Sequence, residues 1–100
     1  MQRAKSGVSL RFGDRVYVVS PDFTLVQEIE HELGGAAALR EAFLQGKWKI
    51  SDLVTLTHMM LQAAGKTVDY VSLGNRMVGE GLDRHLSPVR SFLQLALHSR

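Results

Sequence analysis

The 100-residue sequence contains no cysteine. That excludes disulfides, thiolate nucleophiles and thiolate metal sites, and it fits a reducing compartment. No stretch is apolar for long enough to span a membrane. No early segment resembles a signal peptide either: Met1 to Gly7 is basic and polar, and Val8 to Val19 alternates and is interrupted by Gly13, Asp14 and Arg15. Charge of one sign is also scarce. Lys and Arg number 12 against 10 Asp and Glu, a net charge of +2 behind a pI near 9.3, and Arg3, Lys5 and Arg100 near the ends supply much of the surplus. There is no basic run and no interleaving of basic with aromatic residues, so this excess does not mark a nucleic-acid surface.

Apolar residues make up 45% of the chain and charged residues 22%, the balance of an ordinary globular protein. The length suits one core and is too short for two. The expected organisation is a flexible leader over residues 1–7 and a single domain over 8–100.

The domain is organised around the stretch from Ile50 to Ala64, the longest and least polar helical segment. Counted at 100° per residue, Leu53, Val54, Leu56, Met59, Met60, Leu61, Ala63 and Ala64 cover more than half of its circumference and leave Thr55, His58 and Gln62 as a polar stripe. Such a helix must be covered on two sides, and Leu53, Leu56, Met60 and Leu61 are expected in the core. Ser51 and Asp52 sit where cap and first-turn residues belong, and Gly65 ends the helix.

Before it, Val8-Ser9-Leu10-Arg11-Phe12 alternates with period two, and Val16-Tyr17-Val18-Val19 is β-branched and aromatic, so the two read as a hairpin. A two-residue turn at Gly13-Asp14 would put Arg15 and Tyr17 on the apolar face. A three-residue loop pairs Phe12 with Val16 and Leu10 with Val18, and is the expected register. Such a hairpin needs helices beneath it. After the Ser20-Pro21-Asp22 break, Thr24 and Gln27 form a capping-box pattern ahead of a helix from Leu25 to Leu33, and a second helix runs from Ala36 to Gln45. Beyond the central helix, Asp69 caps a helix from Tyr70 to about Val78, broken by Gly79 and Gly81. Ser87 and Pro88 then open a last helix through Val89, Phe92, Leu93, Ala96 and Leu97. The fold class is therefore α+β, an N-terminal β-hairpin packed on a bundle of about five short α-helices.

No chemistry-bearing constellation emerges. His31, His58, His85 and His98 sit on separate elements without a second ligand three or four residues away, so no metal site is expected. Glu28 and Glu32 share a helix face at a spacing typical of solvated helices. The glycines at 34, 35, 79 and 81 fit neither a dinucleotide fingerprint nor a P-loop, and neither Ser20 nor Ser87 sits in a nucleophile elbow. No catalytic residue, cofactor or metal is expected, and the chain reads as a non-enzyme. The central helix, Gly65 and the Tyr70 helix superficially suggest helix-turn-helix. The second helix, however, carries one basic residue and an interior glycine, with Asp69 and Glu80 at its ends where phosphate would be repelled.

What remains is binding. Trp48, flanked by Lys47 and Lys49, reads as core or partly covered core, with a partner anchor as the second reading. In the last helix, Leu95, Phe92, Ala96, Val89, Leu93 and Leu97 span about 200°, more than a surface helix needs. Either the hairpin and central helix cover both sides, or Leu95 or Leu97 stays exposed beside Leu86 as a partner or self-association surface. The candidate partner-binding residues are thus Trp48, Leu86, Phe92, Leu95 and Leu97.

The order of parts resembles a family, the small tail assembly chaperone or tail-tube-associated proteins of gene transfer agents and related tailed phages. The resemblance is carried by the hairpin over Val8 to Val19, the helix containing Thr24-Leu25-Val26-Gln27-Glu28-Ile29-Glu30, a glycine-bounded second helix, and the Ser51-Asp52-Leu53 helix start running to Gly65. It covers about Val8 to Leu97 and departs most after Gly65. The resemblance implies a cytoplasmic, non-enzymatic protein of tail morphogenesis that binds the tape measure protein and helps tail tube protein assemble around it. It implies no nucleic-acid or membrane partner, and a homo-oligomer remains open. The alternative is a permanent structural component of the tail.

Overall fold

A computed structural model describes residues 7–98. The expected leader therefore lies outside the described residues except for Gly7. The elements run β1 (Val8–Phe12), β2 (Arg15–Val19), α1 (Phe23–Leu33), α2 (Ala36–Leu44), α3 (Ile50–Ala63), α4 (Tyr70–Glu80), a 3-10 turn (Leu82–His85) and α5 (Leu86–Leu97). The fold is α+β, a two-stranded antiparallel hairpin laid over five α-helices.

The hairpin corrects the expected register. Phe12 pairs with Arg15, Leu10 with Tyr17 and Val8 with Val19, so the turn has two residues. Gly13 has φ 67° and among the described residues no non-glycine residue has positive φ, the pattern of a type II′ turn, whose twist matches that of the strands. Turn geometry thus outweighed apolar alternation. The cost is small, because Arg15 sits exposed at the tip and Tyr17 is half-buried while Val8, Leu10 and Val19 carry the inner face. Cations lie over the Phe12 ring, with the Arg76 guanidinium 4.6 Å and the Lys66 ammonium 5.9 Å from its centre. The outer face consequently exposes Val16 and Val18.

Capping differs from the local pattern as well. Asp22, not Thr24, caps α1, its carboxylate accepting from the Leu25 amide at 2.8 Å. Glu30 turns out to be more than a solvated acid, since it accepts from the Ala36 amide at 2.8 Å and caps the next helix, which has no side-chain cap of its own. At the other end of α2, Gly46 adopts φ 75°, the Lys47 amide returns to the Ala42 carbonyl, and Arg90 of α5 donates its Nε–H to the Phe43 carbonyl at 3.0 Å. Ser51 does not cap α3, whereas Asp52 takes its expected place in the first turn, where its charge favours the helix end. The cap position of α3 is Lys49, without a side-chain bond.

The helix α3 lies at the centre, with Leu53, Leu56, Met60 and Leu61 all at 0% exposure, packed with Phe43, Met77, Val89 and Phe92. It ends as expected at Gly65, where the Lys66 amide bonds the Leu61 carbonyl and the Gly65 amide bonds Gln62. Two later boundaries move. The α4 helix continues through Gly79 to Glu80 and stops at Gly81, and α5 begins at Leu86, so Ser87 is not its cap. Pro88 falls in the first turn of α5, where its missing N–H has no intrahelical partner to lose.

Among the described residues two buried side-chain atoms have no hydrogen-bond partner, Arg40 Nε and Thr57 Oγ1. Thr57 is 3% exposed and its hydroxyl oxygen has no hydrogen-bond partner. Burying an unpaired hydroxyl costs about 1–3 kcal/mol, and valine fills nearly the same volume. Thr57→Val is therefore expected to raise stability by about 1 kcal/mol, seen as a higher urea midpoint at unchanged slope.

Candidate partner interface

The residues singled out in the sequence divide between core and surface. Phe92 is 0% and Leu86 8% exposed, so both are core, and the expectation of an exposed Leu86 is corrected. The 3-10 turn runs straight into α5 and turns Leu86 inward as the first helical residue. Trp48 is half-buried with its ring parallel to that of Phe43, centroids 6.1 Å apart. Leu95 is half-buried and lines a groove of about 560 Å³ with Val8, Leu44, Arg90, Ser91 and Gln94, while Leu97 is exposed at 36%.

A second apolar surface lies between α3 and α4, and sequence reasoning did not assign it. The α4 helix has two apolar stripes: Leu73 and Met77 point into the core, and Val71 and Val78 point out at 66% and 60% exposure. Ile50, at 53%, and the half-open ring of Tyr70 flank them. Val54 forms the floor beneath Gly74, where a Cβ would make ordinary van der Waals contact with the Val54 side chain at 3.7 Å. Together these residues line a shallow groove of about 470 Å³. The signal was present in the sequence, since Val71, Asn75 and Val78 share a helix face that Leu73 and Met77 do not need for burial.

Polar contacts fix the loop that sets this groove. His58 Nε2 lies 2.9 Å from the Val68 carbonyl, an acceptor, so the ring nitrogen is the donor. The Thr55 and Tyr70 hydroxyls are 3.1 Å apart, and Tyr70 meets the His58 ring edge-on at 5.7 Å. Asp69 caps α4, accepting from the Ser72 amide at 2.9 Å and the Ser72 hydroxyl at 3.0 Å. These two bonds, with the amide first, hold the Asp69 carboxyl below its usual value of 3.8. A depressed carboxyl stabilises the fold above its unfolded pKa and loses that contribution as pH falls through the folded one. The stability difference between wild type and Asp69→Ala should accordingly be constant near neutrality and shrink below about pH 4, measurable by urea titration across pH.

Other charged side chains form surface contacts. Arg76 bonds Glu80 at 3.0 Å, and Glu80 also meets His85 at 3.1 Å. Among the described residues no group of three or more His, Asp or Glu is placed to hold a metal ion, and no helix is long and apolar enough to cross a membrane. As a helix-turn-helix the α3–α4 pair is poorly formed: the connector spans residues 64–69, longer than the usual three or four, and the outward face of α4 is valine rather than arginine.

Residues 5–99 match the family described as "Phage tail tube protein, GTA-gp10". No curated protein and no solved structure matches the chain.

Proposed function

Because the chain belongs to the phage tail tube protein (GTA-gp10) family, we propose that it acts in tail morphogenesis as an assembly chaperone, binding the tape measure protein and aiding the tail tube subunits that gather around it. The protein is a single domain over residues 8–100, works in the cytoplasm before the particle is complete, and carries out no catalysis. The observation that supports this reading is the α3–α4 groove. A soluble monomer has little reason to keep Ile50, Val71 and Val78 all more than half exposed on one face. A groove between two helices, apolar along its length, suits the apolar stripe of a third helix, and the tape measure protein is the apolar partner that the family resemblance implies.

The family description names the tube itself, which favours a permanent structural role as the second reading. Mass spectrometry of purified particles separates the two. A chaperone is expected to be absent from mature particles, or far below the stoichiometry of the tube subunit, and present in complexes isolated before assembly. Stoichiometric presence in the finished tail would establish the structural role instead.

A further inference from the structure

The α4 helix sorts its side chains into three stripes. Leu73 and Met77 face the core. Tyr70, Val71, Gly74, Asn75 and Val78 lie within about 140° of the helix circumference and line the α3–α4 groove with Ile50, Ser51 and Val54. The charged residues form the third stripe: counted from Tyr70, Arg76 and Glu80 fall between about 240° and 280°, on the far side from the groove. There Arg76 is engaged with Glu80 and the Phe12 ring, and Glu80 also meets His85. Asp69, the cap, is held by the Ser72 amide and hydroxyl. The groove lining therefore contains no charged side chain, although Ile50, Val71 and Val78 are each more than half exposed. Gly7 and His98, where the described residues begin and end, do not line it. The α4 helix packs on α3 and the 3-10 turn, whereas β1 packs on β2 and α5.

This stripe reads the same from either end. Val71, Gly74, Asn75 and Val78 are spaced i, i+3, i+4, i+7, symmetric about the midpoint between Gly74 and Asn75. An antiparallel copy of α4 centred on that midpoint places Val71 of each chain on Val78 of the other, and Asn75 over the gap that Gly74 leaves. The two Asn75 amides then flank the axis, where each can donate to and accept from the other. The helices α3 and α4 run antiparallel, since Thr55 meets Tyr70 at one end of the groove and Ile50 lies at the other, toward Val78. The same rotation thus sets the Tyr70 ring of one copy over Ile50 of the other.

We propose that the α3–α4 groove pairs with the same groove of a second copy of this chain about a twofold axis, the two α4 helices antiparallel. Such an interface joins each residue to the mirrored position of the same patch. Like can meet like here because the lining is uncharged, so no charge faces its own equivalent. For the same reason a nucleic-acid strand is a poor occupant, since the lining offers its phosphates no cation. Eight lining residues a side fall well short of the 20–30 of a standard interface. The dimer is accordingly weak and exchanges, with a Kd of roughly 10 µM to 1 mM. It covers the face assigned above to the tape measure protein, so a second copy and a client helix exclude each other. That exclusion rests on the proposed function; the self-association does not.

Sedimentation velocity of the full chain alone, over a concentration series at low and high salt, tests the self-association. No tape measure protein is present, so its failure is distinct from a failure of the proposed function. Wild type is expected to form a dimer and no larger species, with an affinity that does not fall between about 50 and 500 mM NaCl, because salt screens only charge. Val71→Asp and Val78→Lys alter exposed residues, each adding the charge favoured at its own end of α4, so both should keep wild-type circular dichroism. Each alone should weaken dimerisation at least tenfold. Mixed one to one, the two variants should bind each other at least tenfold more tightly than either binds itself. The introduced carboxylate of one chain then faces the introduced ammonium of the other, and the second Val71–Val78 contact is intact. Four results would each overturn the proposal: a wild type that is monomeric up to about 1 mM, which leaves the groove to a foreign helix; dimerisation indifferent to Val71→Asp; an affinity that falls tenfold with salt; or no gain on mixing.

Discussion

Leu56→Ala is expected to destabilise the protein by about 2–5 kcal/mol, and Leu61→Ala by a similar amount. Both side chains are at 0% exposure, within the buried cluster that also holds Phe43, Val89 and Phe92. The loss has two parts, the transfer energy of the removed methyl groups and the cavity they leave. The second part should be large here. The α3 helix contacts α1, α4, α5 and β2, so no single neighbour can move in to fill the space without disturbing another contact. A domain of this size has roughly 5–15 kcal/mol of total stability, and one truncation can therefore remove a third or more of it. Urea denaturation followed by circular dichroism measures this. Losses under about 1 kcal/mol at both positions would mean that α3 is not the organising helix.

Val71→Asp is expected to leave the fold intact and weaken binding of the tape measure protein at least a hundredfold. Val71 is the second residue of α4 and is 66% exposed, so the change creates no cavity. In the first turn a carboxylate also interacts favourably with the positive end of the helix. The same carboxylate would have to be buried unpaired when an apolar helix fills the groove, and a hundredfold loss corresponds to about 2.7 kcal/mol, within reach of one such desolvated charge. Circular dichroism and thermal midpoint serve as controls for the fold, and a titration of the tape measure fragment reads the affinity. Unchanged affinity with an intact fold would remove the α3–α4 groove from the account.

What could be read from the sequence was what depends on neighbours along the chain. The 3.6-residue period of Ile50 to Ala64 located α3 and its buried residues, and the glycine after it gave the boundary because Gly65 takes a φ of 97° that other residues rarely adopt. The alternation from Val8 to Phe12 gave the strand and its inward face. What could not be read depends on distant partners. The bond from Arg90 to the Phe43 carbonyl crosses 47 residues, and the cation cover that lets Phe12 sit at a two-residue turn comes from Lys66 and Arg76. With that cover hidden, the apolar pattern favoured a longer loop than the glycine turn provides. Leu86 was misplaced for a related reason, since a 3-10 turn leaves no periodic signature from which to extend the helix backward to it. The α4 surface was missed differently: its two stripes were both visible, and nothing local said which one the core would take.

Retention of a purified tape measure fragment on the immobilised chain tests the proposed binding at the α3–α4 groove most directly. Retention is expected at micromolar concentrations of both proteins and should be lost in Val71→Asp. No retention by the folded wild type at those concentrations would contradict it.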